Sequence, residues 1–447
     1  MQYPQGCGLE REQLVRIRSA SWAFSAQVLG VLVSLPMGIL LARVLGASGK
    51  GTLTITQTFA TMSAAVFNFG LGSALVYLAA RREVHSRDAI RLSLGVAGLV
   101  SASLVLAVRL DGLQIAEALL HSSQVPLLYL GAVAAAPVLF SQLLGSYVIG
   151  AGSVRNASIV NISSLVFQLI AVAVLALFRA LTPISAVIVW LCAILGASIA
   201  LLGVARRTHS AAEAQGVRLL FVRGLNYALI SWLSGSLALL SLRLDMFLVA
   251  YYLGPRQVGI YSIAVTLAEL SWFIPNALNA VMVPKAAAER EASLDATLRL
   301  SRLAWPVTLV VASAVATVAV PVVPVLFGQA FAGALLPLAL LVPGIVMVSV
   351  GSMPSAYNVG MGHPGDWTVA SALNLACNLV LNIILLPRYG IAGAAIASSA
   401  SYSVASMTAV WFFRHRSGST LKDILVPRPD DFRTLWDGAV SVLRRVS

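Results

Sequence analysis

The feature that most constrains this chain is a succession of long apolar segments separated by short polar loops. Hydrophobic residues occupy 59% of its 447 positions and charged residues only 11%, well below the quarter or so of charged residues that soluble domains carry. About twelve of the segments have the roughly 20 residues needed to cross the hydrocarbon core of a bilayer. Because lipid offers the backbone no hydrogen-bond partner, such segments must be helical. The sequence therefore predicts an all-α membrane protein of about twelve transmembrane helices.

The predicted spans divide equally between the two halves of the chain. Those of the first half are Ala20–Ala42, Thr52–Ala80, Leu92–Val108, Val125–Ile149, Ala157–Phe178 and Pro183–Val204. Those of the second half are Leu225–Tyr251, Val258–Val283, Leu303–Leu326, Phe331–Met353, Trp367–Leu386 and Ile391–Phe413. We therefore predict an N-terminal six-helix bundle at residues 1–208, a C-terminal six-helix bundle at residues 209–416 and a cytoplasmic tail at residues 417–447.

The basic residues are distributed unequally between alternate loops. Of the 30 Lys and Arg residues, 23 fall on the side of the N-terminus and 6 on the opposite side, while Arg243 lies inside a span. Positive residues are retained on the cytoplasmic side during insertion, so both termini are predicted to be cytoplasmic in a protein of the inner (plasma) membrane. Because the net charge of +13 resides in loops and not on one folded face, nucleic acid binding is not expected.

An internal repeat relates the two halves. Gly46 and Gly51, each at or near the turn after the first span, recur 208 positions later as Gly254 and Gly259. Repeated halves with the same orientation are related by a pseudo-two-fold axis along the membrane normal, as in many transporters. We interpret the glycines as ordinary helix caps and hairpin residues, and we expect a substrate path between the halves.

The tail is too polar to span the membrane. Leu435, Trp436, Val440 and Leu443 nevertheless recur in it at helical spacing beside arginines. This pattern is typical of an interfacial amphipathic helix, and a short disordered tail is the alternative.

Candidate catalytic groups are dispersed along the sequence. The stretch Gly46–Thr52 superficially resembles a phosphate-binding loop, but it lacks the four residues between its first Gly and the Gly-Lys-Ser/Thr element. The five histidines and three cysteines are scattered, which argues against a metal site or a disulfide framework. We therefore expect neither an enzyme nor a bound cofactor.

Three charged residues fall within predicted spans, namely Arg243, Asp245 and Glu269. An ionisable side chain in the bilayer costs at least ~2.5 kcal/mol, so such residues face protein or a water-filled cavity. Arg243 and Glu269 fall at similar depth on adjacent helices, so they could form an ion pair. One interpretation is that Arg243 pairs with Asp245 or with Glu269 only to join neighbouring helices. The other is that Arg243 attracts an anionic headgroup while Asp245 or Glu269 takes up H⁺ or Na⁺ as a coupling ion.

Amide side chains within the spans are a second set of candidates. Asn68, Asn276 and Asn279 would meet sugar hydroxyls if they lined a polar passage. Hydrogen bonds between helices are the alternative role, and the commoner one for such residues.

Three stretches of the sequence carry a family resemblance. Leu41–Gly51 (LARVLGASGKG), Phe69–Gly72 (FGLG) and Asp245–Ser262 (DMFLVAYYLGPRQVGIYS) resemble the polysaccharide or O-antigen flippases, which belong to the superfamily of multidrug, oligosaccharidyl-lipid and polysaccharide exporters. The resemblance extends from about Leu14 to Phe413. It implies two six-helix bundles around a V-shaped central cavity, with cationic cavity residues on the diphosphate. Within a span, only Arg243 matches that description.

The resemblance implies that a polyprenyl-diphosphate-linked oligosaccharide is moved to the outer leaflet for surface polysaccharide biosynthesis. The expected partners are the lipid bilayer, this lipid-linked oligosaccharide, and a glycan polymerase and chain-length proteins, with the protein itself a monomer. An alternative is a cation-coupled multidrug or small-solute antiporter of the same superfamily, in which Asp245 and Glu269 bind the coupling ion. A second alternative, from another class, is a non-transporting scaffold for glycan assembly enzymes.

Overall fold

A computed structural model describes residues 6–120, 125–208, 225–272 and 290–431. The chain separates into two compact units, Met1–Leu233 and Ser234–Ser447. Residue 209, where the second bundle was predicted to start, lies outside the described residues, as do Asn276 and Asn279 and the predicted tail helix around residues 435–443. Each unit is described below by itself.

The first unit consists of helices joined by short turns. Their bounds are α1 Gly6–Val66, α2 Leu71–Ala80, α3 Ser86–Leu120, α4 Val125–Gly150, α5 Val154–Leu177 and α6 Pro183–Arg207. The centre of the unit is α4, whose Leu139, Leu143 and Leu144 are completely buried. Helices α2, α3 and α6 pack around it.

The second unit repeats this organisation. Helix α7, Leu225–Leu253, runs into it, and the other bounds are α8 Pro255–Glu269, α9 Arg290–Val322, α10 Leu335–Gly360, α11 Pro364–Ser417 and the short α12 Leu421–Leu425. A 3₁₀ turn, Leu270–Trp272, extends α8, and Val323–Phe327 and Gln329–Ala334 connect α9 to α10. Helix α10 is the central helix, packed against α9 and α11.

Nine helical segments of the described chain are long and apolar enough to cross a membrane. Two of these, Val28–Val66 and Pro364–Ser417, each contain a glycine with non-helical backbone angles and therefore hold two helices. Large apolar side chains face outward along the segments, among them Leu110 and Leu177 at 75% and 80% exposure. Helix surfaces that expose such large apolar side chains are stable in contact with lipid and not with water. The predicted all-α membrane fold is confirmed.

The repeat appears in the backbone as well as in the sequence. Gly46 interrupts α1 with φ 66° and ψ −178°, and Gly254 precedes α8 with φ 79° and ψ 175°. Gly152 and Gly362, 210 positions apart, have φ 84° and 86° at the two corresponding hairpins. Matching turns at nearly equal offsets, 208 and 210 residues, show that the two units are built on the same plan.

One predicted span, Thr52–Ala80, is broken in the structure. The helix stops after Val66 and restarts at Leu71, because Phe69 and Gly70 take φ 48° and 76°. The carbonyl of Val66, freed by the break, accepts a 2.8 Å hydrogen bond from the indole of Trp232. The sequence did not predict this break, because a continuous apolar run does not indicate the backbone angles of single residues.

The described part of the C-terminal tail is docked against the second unit. Ile424 of α12 is completely buried in a cluster with Val350, Tyr357 and Phe413. Arg302 of α9 holds the end of this segment, with hydrogen bonds of 2.6 and 2.8 Å to the two carboxylate oxygens of Asp431. Residues 418–431 therefore form part of the packed unit.

Candidate functional site

The intramembrane charges lie on α7 and at the end of α8. Arg243 and Asp245 are separated by two residues, which places them on nearly opposite faces of α7. Glu269 is the last residue of α8, reached after the Gly254 turn reverses the chain. Arg243 therefore faces one environment with Glu269, and Asp245 faces another.

Arg243 and Glu269 form a two-point ion pair. Nη1 lies 3.0 Å from Oε1, and Nη2 donates to Oε2 over 3.3 Å. The two side chains remain 35% and 28% exposed. The parallel geometry is the fork by which guanidinium binds oxyanions, and the exposed remainder of Arg243 leaves donors free to meet a second anion.

Asp245 is buried to 1% exposure. Its Oδ2 accepts hydrogen bonds from the Tyr261 hydroxyl at 2.8 Å and from Ser398 Oγ at 3.4 Å. Its Oδ1 accepts from the backbone N–H of Met246 at 2.8 Å. These donors are neutral, so the carboxylate has no direct ion-pair partner in the described part of the chain, which is an expensive state for a buried charge.

The polar environment of Asp245 continues along α11. Asn378 donates to Ser398 Oγ and to Ser401 Oγ, both at 3.3 Å. Asn382 donates to the side-chain oxygen of Asn378 at 3.0 Å, and its own Oδ1 is buried without a partner among the described residues. A chain of hydrogen bonds thus runs from the Asp245 carboxylate through Ser398 and Asn378 to Asn382.

A cavity of about 540 Å³ lies within the second unit, next to this pair and network. Trp272, one helical turn beyond Glu269, and Tyr402 of α11 line it and contact each other edge to face, with ring centroids 6.0 Å apart. Leu242, the neighbour of Arg243, lines it as well. The remaining lining residues come from α7, α10 and α11, and they are Ala238, Val348, Gly351, Ser352, Ser355, Ala356, Val359, Trp367, Ser371, Asn374, Ala405, Ser406 and Ala409.

Asn68, a candidate from the sequence, lies at the break between α1 and α2. Its Oδ1 accepts from the backbone N–H of Gly72 at 3.0 Å and so supports the start of α2. In the same unit Gly46 and Gly51 lie at and after the kink of α1, and in the other unit Gly254 and Gly259 lie before and inside α8. Gly254 and Gly259 lie between Arg243 and Glu269 in sequence, whereas the residues of the first unit are remote from Arg243 in sequence. All of them occupy turns or packed helices.

Sequence reasoning missed four residues of the site. Tyr261, Ser398, Trp272 and Tyr402 are common in membrane helices and carry no charge, so nothing set them apart. A weak signal did exist on α11, where Asn374, Asn378 and Asn382 repeat every four residues. That spacing places three amides on one helix face, and it would have directed attention to this helix.

Several solved structures share the fold. The lipid II flippase MurJ, in an inward closed conformation, gives a TM-score of 0.71 at 15% identity over 91% of this chain and 89% of that one. An inward-facing multidrug resistance MATE family transporter of the MOP superfamily gives 0.68 at 17% identity over 87% and 94%. A MOP superfamily transporter from Pyrococcus furiosus gives 0.59 at 16% identity over 94% and 99%. At these identities the likeness establishes the fold.

Sequence comparison identifies the family to which the chain belongs. A membrane protein of Methanocaldococcus jannaschii, itself uncharacterised, is 32% identical over 77 residues, which amount to 16% of this chain and 15% of that protein. The sequence pattern of the polysaccharide biosynthesis proteins matches residues 17–288, more than half of the chain. The protein has the fold of the MOP superfamily transporters and belongs to the polysaccharide biosynthesis protein family.

Proposed function

We propose that the protein flips a polyprenyl-diphosphate-linked oligosaccharide from the cytoplasmic to the outer leaflet of the inner membrane, by alternating access, for surface polysaccharide biosynthesis. The observation that carries the proposal is Arg243, a guanidinium placed inside a membrane span with 35% of its side chain exposed. Membership of the polysaccharide biosynthesis family supports the substrate class. A glycan polymerase and chain-length proteins would receive the product.

The position of Arg243 suits the headgroup of such a lipid. It precedes the Gly254 turn by 11 residues, or about 16 Å of helix at 1.5 Å per residue, close to the middle of a hydrocarbon core of about 30 Å. A diphosphate crossing the membrane encounters its largest desolvation penalty there. A guanidinium binds phosphate oxygens through two parallel hydrogen bonds, so Arg243 would stabilise the headgroup where stabilisation is needed most.

Asp245 is the proposed coupling group. Uptake of H⁺ or Na⁺ by the carboxylate would neutralise a buried charge whose hydrogen-bond donors among the described residues are all neutral. Its hydrogen bonds connect α7, α8 and α11, so a change in its charge acts on three helices at once. The isosteric change Asp245→Asn should preserve folding and make transport independent of the ion gradient.

The proposal is tested by flipping of a lipid-linked oligosaccharide in proteoliposomes. Arg243→Ala should lower the flipping rate about tenfold or more, since a charge-assisted hydrogen bond contributes about 1.5–3 kcal/mol. Protein abundance should be unchanged. Arg256→Ala, an exposed arginine in the adjacent hairpin, is the matched control and should flip the lipid at the wild-type rate.

A charge exchange separates the functional role of Arg243 from a structural one. Arg243→Glu combined with Glu269→Arg restores an ion pair between α7 and α8 but moves the cation to the other helix. We expect normal protein abundance without normal flipping. Wild-type flipping in this double variant would mean that the pair only joins the two helices, and the proposed role of Arg243 would be wrong.

A second candidate, a cation-coupled multidrug or small-solute antiporter, is favoured by the charge of the site. Arg243 and Glu269 neutralise each other as an ion pair, so the ionised Asp245 on the other face of α7 leaves this part of the second unit with a net charge of −1. A negative site favours organic cations. Ethidium efflux from cells expressing the protein, abolished by Asp245→Asn, would support this function over the flippase.

A further inference from the structure

Four exposed arginines lie at the predicted cytoplasmic end of the first unit, where α2 ends and α3 begins. They are Arg81, Arg82, Arg87 and Arg91, and we call them the arginine patch. Arg81 forms an ion pair with Glu83, with 3.2 Å between Nε and Oε1. Arg82, Arg87 and Arg91 have no ion-pair partner among the described residues. The protein itself therefore leaves three guanidinium groups of the patch without a direct counterion.

Further positive charge surrounds the patch. One buried cluster contains side chains from the cytoplasmic ends of α2, α3, α4, α5 and α6, so these ends are adjacent. Three more exposed arginines stand there, namely Arg155, Arg206 and Arg207. In the segments 81–91, 151–157 and 205–208, seven arginines and two acidic residues, Glu83 and Asp88, leave a net charge of +5. This end of the unit is therefore strongly cationic.

The second unit compensates arginines at its own cytoplasmic end. There Arg302, Arg416 and Arg428 form ion pairs with aspartates at 2.6, 2.9 and 2.9 Å. The aspartates are Asp431, Asp366 and Asp423. Retention of positive residues in the cytoplasm depends little on acidic residues, so it accounts for arginines in both units but not for the lack of partners in one. The difference indicates that the patch takes its counterions from outside the protein.

The patch continues apolar surfaces of α2 and α3. The guanidinium of Arg81 lies 5.2 Å from the ring centre of Tyr77 and donates a hydrogen bond to its hydroxyl. Tyr77 is 46% exposed, as is typical of a tyrosine at a membrane interface. On α3, Leu94 is 54% exposed and shares a helix face with Arg91, three residues before it. A soluble anion would meet only the guanidinium groups, whereas a phospholipid also covers the apolar side chains with its acyl chains.

Arg82 occupies a backbone position that usually holds glycine. It ends α2 in a Schellman motif with φ 58°. The same motif after α4 and after α10 has Gly152 and Gly362 at this position. A side chain in this left-handed conformation is strained. The turn therefore presents a cation at the expense of stability.

We propose that the arginine patch binds the phosphate groups of anionic phospholipids in the cytoplasmic leaflet, with Tyr77 and Leu94 in contact with their acyl chains. This inference goes beyond the proposed flippase function and does not depend on it, because the ligand is a lipid of the surrounding membrane. It gives the first unit a lipid-binding surface that the second unit, with its paired arginines, does not repeat.

The first test titrates the purified full chain with cardiolipin, in a neutral detergent and without any transported substrate, and counts bound lipid by native mass spectrometry. Cardiolipin should bind saturably and more tightly than phosphatidylcholine, and its binding should weaken as the salt concentration rises. In the variant Arg82→Gln/Arg87→Gln/Arg91→Gln, binding should weaken about tenfold or more, since each arginine near an anionic surface contributes about fivefold.

The matched control removes three exposed arginines from the predicted outer side. This variant, Arg109→Gln/Arg179→Gln/Arg256→Gln, loses the same charge and should bind cardiolipin as the wild type does. An equal loss in the two triple variants, or equal binding of cardiolipin and phosphatidylcholine by the wild type, would overturn the proposal. Displacement of cardiolipin by excess inorganic phosphate at constant ionic strength would mean that the patch recognises phosphate alone, and the assignment to a phospholipid would be wrong.

A second test separates lipid binding from stability. Arg82→Gly should unfold at a higher temperature than the wild type in lipid-free detergent, because glycine adopts the left-handed conformation without strain. It should nevertheless bind cardiolipin about fivefold more weakly. The matched control is Arg179→Gly, which changes the equivalent residue after α5, at φ 54°, and should gain stability with unchanged cardiolipin binding. If Arg82→Gly bound cardiolipin as the wild type does, or if Arg179→Gly lost as much binding, the proposal would be wrong.

Discussion

Gly46 holds the backbone in a conformation that other residues adopt only at a cost. Its angles, φ 66° and ψ −178°, fall in a region populated almost only by glycine, and Gly254 repeats them 208 positions later. A Cβ built on Gly46 would have nothing within 4 Å. The requirement for glycine here therefore comes from the backbone angles and not from crowding.

We expect Gly46→Ala to lower the free energy of unfolding by about 1–3 kcal/mol, the usual cost of such strained angles. The matched control is Gly98→Ala, an exposed helical position with open space around it, where alanine should be neutral or stabilising by about 0.5–1 kcal/mol. Thermal unfolding of the purified protein measures both. Equal stability of the two variants would contradict the assignment of strain to Gly46.

At the residue scale the sequence predicted the charged groups of the site but not their neutral partners. Arg243, Asp245 and Glu269 were identifiable because a charge inside an apolar run is costly and rare. Tyr261 and Ser398, which hydrogen-bond to Asp245, were not, since their contacts join segments up to 153 residues apart. Asn276 and Asn279 remain predictions, and Asn68 is assigned a local contact with the start of α2.

Among the elements, α10 and the second half of α11 pack at unusually close range. A Cβ added to Gly344 would lie 2.5 Å from Cα of Ser399, and one added to Gly351 would lie 2.7 Å from Cα of Ser406. Both pairs are seven residues apart, which places them two turns along one helix face. Small residues at such a seam allow membrane helices to approach closely.

Gly344→Ala should therefore force the two helices apart and lower the free energy of unfolding by about 1–3 kcal/mol, as overpacking does elsewhere. Gly196→Ala, at an exposed helical position without neighbours within 4 Å, is the control and should not be destabilised. Thermal unfolding again provides the comparison. If Gly344→Ala were as stable as the wild type, the two helices would accommodate the added methyl group without strain, and the prediction would be wrong.

The docked tail segment depends on the ion pair between Arg302 and Asp431, whose side chains are only 4% and 3% exposed. The hydrogen bonds from Arg302 hold the pKa of the Asp431 carboxyl below its ordinary value. Because the folded-state pKa is lower than the unfolded-state value of about 3.9, the stability from this carboxylate is fully present at neutral pH. It is lost as the pH falls through the folded-state pKa.

Asp431→Asn should lower the free energy of unfolding by about 3 kcal/mol at pH 7, since it leaves the buried Arg302 charge without its partner. The difference from the wild type should shrink as the pH falls below about 4. Thermal unfolding across this pH range, with the exposed Glu117→Gln variant as control, measures the effect. A difference that did not change with pH would contradict the assignment to the ionised carboxylate.

For the whole molecule, the loop charges predict that both termini face the cytoplasm. In a variant without native cysteines, Arg256→Cys in the hairpin after α7 should react with an impermeant maleimide from outside the cell. His363→Cys in the hairpin between α10 and α11 should react only after permeabilisation. The opposite pattern would reverse the orientation, and labelling of both positions from outside would contradict the span assignment. The native cysteines to be replaced are Cys7, Cys192 and Cys377.

The sequence alone determined that this is an all-α membrane protein of two repeated halves and which charged groups enter the membrane. These properties follow from local costs, because unpaired backbone groups and isolated charges are expensive in lipid wherever they occur. Only the tertiary structure decided that Arg243 pairs with Glu269, that Asp245 contacts neutral hydroxyls, and that a cavity lies inside one unit. Each of these depends on how helices are rotated against one another, and that rotation is set by close packing between residues far apart in the chain.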